Sequence, residues 1–310
     1  MNNLKALGLV SAIALASVLG NPSWSQDSTD LSGMEAGRDQ VEATVEDSTT
    51  DALAERRTKL IDEAVSALAQ TREAIKALDA GDKQAAIDAL AQATGKLETI
   101  VARSPDLALA PVAVDYATID LLASPQQIRD IGNRVEDLVE DGEFQAARAL
   151  LGTFASEIVV STTSLPLATY PDAILDATAL IEQDKMDDAL LVLNTALSTQ
   201  VVTDRVIPLP PLRAEAMISS AEALLEAGDV ATADDAGLTA GDYVNAARVE
   251  LEVGEAMGYG TEDDFEELHD IIDELDEAID QATDTGGIFD RIDDGFGRLK
   301  ERLFNRNSDT

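Results

Sequence analysis

His269 is the only histidine in this 310-residue chain, and there is no cysteine. A zinc site of His and Cys ligands, a Cys–His pair or a Ser–His pair would each have to be built on one imidazole. His269 stands beside Glu266, Asp270 and Asp273, where it reads as a solvated helix histidine or, alternatively, as a pH sensor. The carboxylates from Glu262 to Asp284 could bind divalent cations loosely, but such a run reads better as a solvated helix face. Asp290, Asp294, Gly295 and Glu301 fall on four positions of a calcium-loop pattern, yet Ile292 sits where an oxygen ligand is needed and Arg298 adds a repelling cation. That geometry excludes a calcium loop. The sequence shows no phosphate-cradling glycine loop, nucleophile elbow or metalloprotease helix. The expectation is a protein that is not an enzyme, with no catalytic, metal-binding or cofactor-binding residues, no cofactor, and His269 as the one possible pH-sensing position.

The elements around these residues follow a repeated plan. Val159 to Leu167 returns 42 residues later as Val201 to Leu209, and Gly142, Ala147 and Leu151 map to Asp184, Ala189 and Leu193 at the same offset. The repeated unit is a helix pair plus a strand. A turn formula also recurs, glycine closing one helix and alanine five residues on allowing close approach of the next. It occurs at Gly81/Ala86, Gly142/Ala147, Gly241/Ala246 and, with Asp184 in place of glycine, at Ala189. Helical periodicity predicts buried faces at Leu60, Ile61, Ala64, Val65, Leu68, Ile75 and Leu78, at Ile87, Leu90, Leu97, Ile100 and Val101, and at Ile128, Ile131, Val135, Leu138 and Val139. Val112, Val114 and Tyr116 alternate as a half-buried strand would. Two helices between successive strands return the chain to the end of the sheet it left, so neighbouring strands are expected to be antiparallel. The fold class is therefore α+β, predominantly α-helical, with antiparallel helical hairpins attached to a small antiparallel sheet and an internal 42-residue repeat.

The ends read differently from the middle. A short basic start, the apolar run Ala6 to Leu19 and the small residues around Ser25 form a signal peptide over 1–25, cleaved near Ser25. The run is shorter than the ~20 residues a membrane span needs. Residues 26–50 are polar and acidic and read as a disordered tether. Residues 51–282 form the helical domain. In 283–310, Gly286-Gly287 is expected as a flexible joint before an amphipathic helix carrying Ile288, Ile292, Phe296, Leu299 and Leu303. That helix docks on the acidic body or on a partner or membrane face. The helix from Leu212 is followed by two candidate turns, Gly228-Asp229 and Gly241-Asp242.

A net charge of −38 and a pI near 4.1 argue against nucleic acid, whose phosphates such a surface repels. They disfavour anionic membranes for the same reason, and stable membrane insertion is not expected. A hydrophobic content of 45% rules out wholesale disorder, while only 4% aromatic residues predict a thin helical core.

The order of parts resembles the YfdX family of exported bacterial proteins. The resemblance is carried by Glu157 to Leu167 with Thr169-Tyr170-Pro171-Asp172-Ala173, then Val201 to Leu212, then Glu255-Ala256-Met257-Gly258-Tyr259-Gly260. It implies a periplasmic, mostly helical protein linked to acid and envelope stress or drug tolerance, with no established molecular activity and no catalytic residues to transfer. The stretch between Gly228 and Gly241 is an apparent insertion. Two functions are expected on this basis. One is a periplasmic stress-associated binding protein with pH-dependent association, chaperone-like, with protein clients or itself. The other is a binder of a small apolar, drug-like ligand in a pocket between sheet and helices.

Overall fold

Three hairpins turn on a residue in the left-handed region, at Gly81 (φ 76°), Gly142 (φ 76°) and Asp184 (φ 58°). In the computed structural model, which describes residues 42, 45–46, 49–50, 52–228, 233–234 and 237–306, these turns join α1 (Asp62–Asp79) to α2 (Lys83–Arg103), α3 (Pro125–Glu140) to α4 (Phe144–Leu151), and α5 (Tyr170–Glu182) to α6 (Met186–Ser198). Each closes the same way: Asp82 N–H donates to the Ala77 carbonyl, Glu143 N–H to Leu138 and Lys185 N–H to Leu180, at 2.8, 2.8 and 3.0 Å. These bonds satisfy carbonyls that the helix ends leave open. The alanines five residues on, Ala86, Ala147 and Ala189, are buried.

The fourth expected turn is not one. Gly241 lies in the first turn of α8 (Ala240–Ala256), where Thr239 and Asp242 form a capping box. That reciprocal pair of hydrogen bonds starts a helix at this point. Gly228 follows α7 (Leu209–Ala227) with φ −160°, an extended conformation, and the left-handed glycine of the connection is Gly237, φ 84°. Helix α7 begins at Leu209, ahead of the expected Leu212, because Pro210 and Pro211 suit a first turn that needs no N–H donors.

Strands β1 (Leu109–Ile119), β2 (Glu157–Pro166) and β3 (Val201–Pro208) form one antiparallel sheet in the order β1-β2-β3. Leu167 N–H donates to the Ala108 carbonyl and Leu209 N–H to the Ser156 carbonyl, each at 2.9 Å, which fixes both registers. Asp204 then falls opposite Ser161, whose hydroxyl donates to it at 2.6 Å. The two copies of the repeated strand differ in position: β2 is central and alternates in burial, while β3 is an edge with Val202, Thr203 and Asp204 exposed.

The described residues form two compact units, the first within 52–116 and 160–204, the second from 117–159 and those of 205–306 together with the described residues of 42–50. In the first, α2 packs on α1 and α5, and α6 on α5 and α1. Its interface is largely alanine, with Ala64, Ala67, Ala74, Ala86, Ala93 and Ala177 among its buried residues, beside Leu68, Leu90, Leu97 and Ile100. Val65 and Val101, expected inside, are 39% and 41% exposed. Small side chains let the helix axes approach closely, which rotates the larger flanking residues outward. Tyr116 on β1 is likewise exposed.

In the second unit α7, α8, α9 (Glu262–Asp280) and α10 (Gly286–Arg306) pack in a ring, with α3 on α8. The expected stripes Phe265, Leu268, Ile272, Leu275, Ile279 and Ile288, Ile292, Phe296, Leu299, Leu303 are buried in one core. The C-terminal amphipathic helix therefore docks on the body of the same chain, and Gly286-Gly287 forms its first turn instead of a joint. On α3, Ile128 and Leu138 are buried but Val139 is exposed, because the short α4 covers little of that side.

The leader read over 1–25 and most of 26–50 lie outside the described residues. Within 26–50, Val45 and Thr49 are helical and buried, and the Thr49 hydroxyl donates to the Val45 carbonyl at 2.7 Å.

Candidate functional site

The end of β1, the start of β2, α7 and the segment after α8 bring a cluster of polar side chains together in the second unit. Arg213, at the start of α7, donates to both carboxylate oxygens of Asp120, at 3.0 and 2.7 Å. Ser156 Oγ donates to Asp120 Oδ1 at 2.7 Å. The Ser156 N–H donates to the Tyr259 hydroxyl at 2.7 Å, and that hydroxyl donates to Glu157 Oε2 at 3.0 Å. Backbone, phenol, carboxylates and guanidinium thus form one connected network.

The electrostatics follow from burial. The Arg213 side chain is 13% exposed. Burial alone would lower its affinity for its proton, but the hydrogen bond to Asp120 and the charges of Asp120, Glu250 and Glu42 outweigh it and raise it above the ordinary guanidinium value. Burial, with the carboxylates of Glu157 and Asp120, pushes the Tyr259 phenol well above the usual tyrosine range, although the Ser156 N–H works the other way. A second phenol, Tyr243, is pushed up by burial and by Asp234, to which it donates at 2.7 Å.

A serine nucleophile needs a base free to take its proton. Asp120 accepts from Ser156 Oγ and from Arg213 on both oxygens, so both of its oxygens are already engaged. His269 lies elsewhere in the unit. Its Nε2 is 3.7 Å from Glu255 Oε2, with the imidazole 25% exposed, so its nearest acidic contact is on α8, not among the expected Glu266, Asp270 and Asp273.

Another surface carries charge. A shallow groove of about 550 Å³ between α9 and α10 is lined by Asp263, Glu266, Glu267, Asp270 and Asp294 together with Arg291, Arg298 and Ile271. Arg298 pairs with Glu267 at 2.7 Å and Arg291 with Glu274 at 2.6 Å. Arg291 and Arg298 thus face the acidic stripe of α9, while Lys300 pairs with Glu215 on α7. Among the described residues no group of carboxylates and histidine has the geometry to hold a metal ion, and no helix is long and apolar enough to cross a membrane.

Sequence reasoning alone did not single out Asp120, Ser156 or Arg213 for this cluster. A signal existed: Glu157 and Tyr259 both lie in the stretches that carry the family resemblance, and here they share a hydrogen bond. Fold and cluster together define a helical-hairpin α+β protein whose polar cluster ties the end of β1, the start of β2, α7 and the segment after α8 to one another. Over residues 67–206 the chain matches the family model described as YfdX protein. Among solved structures, one of Salmonella Typhi YfdX is 18% identical, the match covering 48% of this chain and 93% of that chain at a TM-score of 0.34. No curated protein matches the chain.

Proposed function

We propose that this chain is an exported, periplasmic, stress-associated binding protein that holds client proteins, or associates with itself, as the pH falls. The observation that carries this reading is the coexistence of large apolar side chains in solvent with a densely acidic surface. Leu122, Phe144 and Leu191 are 64%, 62% and 68% exposed on a chain with 60 carboxylate residues and a net charge of −38. At neutral pH mutual repulsion keeps such molecules apart from one another and from other acidic chains. Carboxylates with ordinary values near ~4 lose that charge in acid, and apolar contact then prevails. The apolar run at 6–19 supports export.

The test is light scattering from an aggregating periplasmic client with and without the chain lacking residues 1–25, at pH 7 and pH 4.5. Suppression at pH 4.5 and little at pH 7 is the expected result. Equal suppression at both, or none at either, overturns the reading. A His269→Gln variant separates the two sources of pH response: the same acid dependence assigns it to the carboxylates, and its loss assigns it to His269.

A further inference from the structure

Strand β1 is an edge of the sheet, and its two halves are closed to different degrees. The bond from Leu167 N–H to the Ala108 carbonyl sets the register in which even-numbered residues of β1 turn their backbone groups toward β2. Odd-numbered residues therefore point theirs away from the sheet. On that outer side Pro111 has no N–H, and its carbonyl accepts from Ile61 N–H at 3.0 Å. Beyond it, Ala113, Asp115, Ala117 and Ile119 present outward N–H and C=O groups, and no backbone bond from another described segment reaches them. Residues 115–119 are all exposed.

We propose that the open edge from Ala113 to Ile119 is a docking site for an extended cationic polypeptide segment, added to the sheet as a fourth strand. Outward donors and acceptors repeating every ~6.8 Å match only an extended backbone. Charge selects the occupant. β1 contains no Lys or Arg, and Asp115 stands at the centre of the open edge of a chain with net charge −38. A segment alternating lysine with apolar residues is attracted there, whereas a second copy of the same acidic chain is repelled. Tyr116 and Ile119, 44% and 39% exposed, lie on opposite faces of the strand and offer apolar contact to both sets of incoming side chains. Edge strands are commonly blunted by lysine or proline; here the proline guards only the closed half. The proposal rests on the client-holding reading for its biological role, since it says how a client would be gripped.

The probe is a short synthetic peptide alternating Lys or Thr with Val, measured by fluorescence anisotropy and by amide hydrogen exchange at pH 7. Binding is expected to slow exchange at Ala113, Asp115, Ala117 and Ile119. The same peptide N-methylated on alternate amides, or with Glu in place of Lys, is expected to bind at least about tenfold more weakly, because strand addition depends on main-chain bonds and on charge. Ala117→Pro removes one outward N–H. Asp115→Lys keeps every backbone group, so it tests the site even where Ala117→Pro disturbs the strand; each is expected to weaken binding at least about tenfold. Equal binding of the parent and N-methylated peptides overturns the proposal, as does protection confined to other residues. Protection of the same amides by raising the protein's own concentration without peptide also overturns it, because the edge then belongs to a second copy. Client holding that fails at both pH values sinks the functional reading alone; client holding that survives Asp115→Lys while peptide binding is lost separates the edge from that function.

Discussion

Arg213 and Asp120, 93 positions apart in sequence, meet through two parallel hydrogen bonds of 3.0 and 2.7 Å. This pair ties the start of α7 to the end of β1, and Ser156 and Tyr259 extend it to β2 and the segment after α8. Side chains only 13% and 26% exposed leave little water to replace a lost partner. Asp120→Asn is therefore expected to destabilise the protein by about 3 kcal/mol, because it strands a largely buried guanidinium. Urea unfolding at pH 7 measures this. Asp120→Asn combined with Arg213→Met should cost less than Asp120→Asn alone.

The tyrosines give a pH signature. Burial pushes the phenols of Tyr170, Tyr243 and Tyr259 above the usual tyrosine value. A raised folded-state value means that the fold favours the neutral phenol. That contribution is complete below the unfolded value near ~10 and is lost as the pH rises through the folded value. Absorbance titration at about 295 nm should show three of the four tyrosines ionising late and together with unfolding. Tyr259→Phe should reduce the late phase to two. It also leaves the Ser156 N–H without its acceptor, at a cost of about 1–2 kcal/mol.

Close packing makes two glycines unequal. A Cβ on Gly260 would stand 2.7 Å from Phe265 Cε2, and one on Gly295 would stand 2.8 Å from Leu268 Cδ2. The Phe265 ring is fully buried and rigid, whereas the Leu268 methyl is the end of a side chain that can rotate. Gly260→Ala is expected to cost about 2 kcal/mol and Gly295→Ala less than about 1. Comparison of their urea midpoints checks the order.

The C-terminal helix holds by its apolar face. Phe296 is fully buried, so Phe296→Ala should destabilise by about 3–5 kcal/mol. Arg298 and Glu267 are 45% and 46% exposed, and an ion pair so open to water contributes little. Arg298→Ala should cost less than about 1 kcal/mol. Thermal unfolding of the two variants side by side measures the difference.

Local patterns were legible wherever one residue type decides the backbone. Gly81 and Gly142 announce left-handed turns, and Asp184 takes the same conformation in the place of a glycine, as a short polar side chain can. The stripe from Phe265 to Ile279 and the tail from Ile288 to Leu303 show their buried faces in their spacing alone. Gly241 failed because the formula reads a glycine without its neighbours: the Thr239–Asp242 box starts a helix there. Val65 and Val101 failed because hydropathy ranks valine above alanine, while close helix contact selects the smaller side chain.

By itself the sequence determined the helical hairpins, most of their turns, the antiparallel direction of neighbouring strands and the acidic surface, since each follows from residues near one another in the chain or from composition. Only the tertiary structure decided that β2 is central and β3 an edge, that the tail docks on its own body, and that Asp120, Ser156, Arg213 and Tyr259 share one network. Those residues lie far apart in sequence, and no local spacing or propensity records a contact that exists only after the sheet and the helix ring have closed.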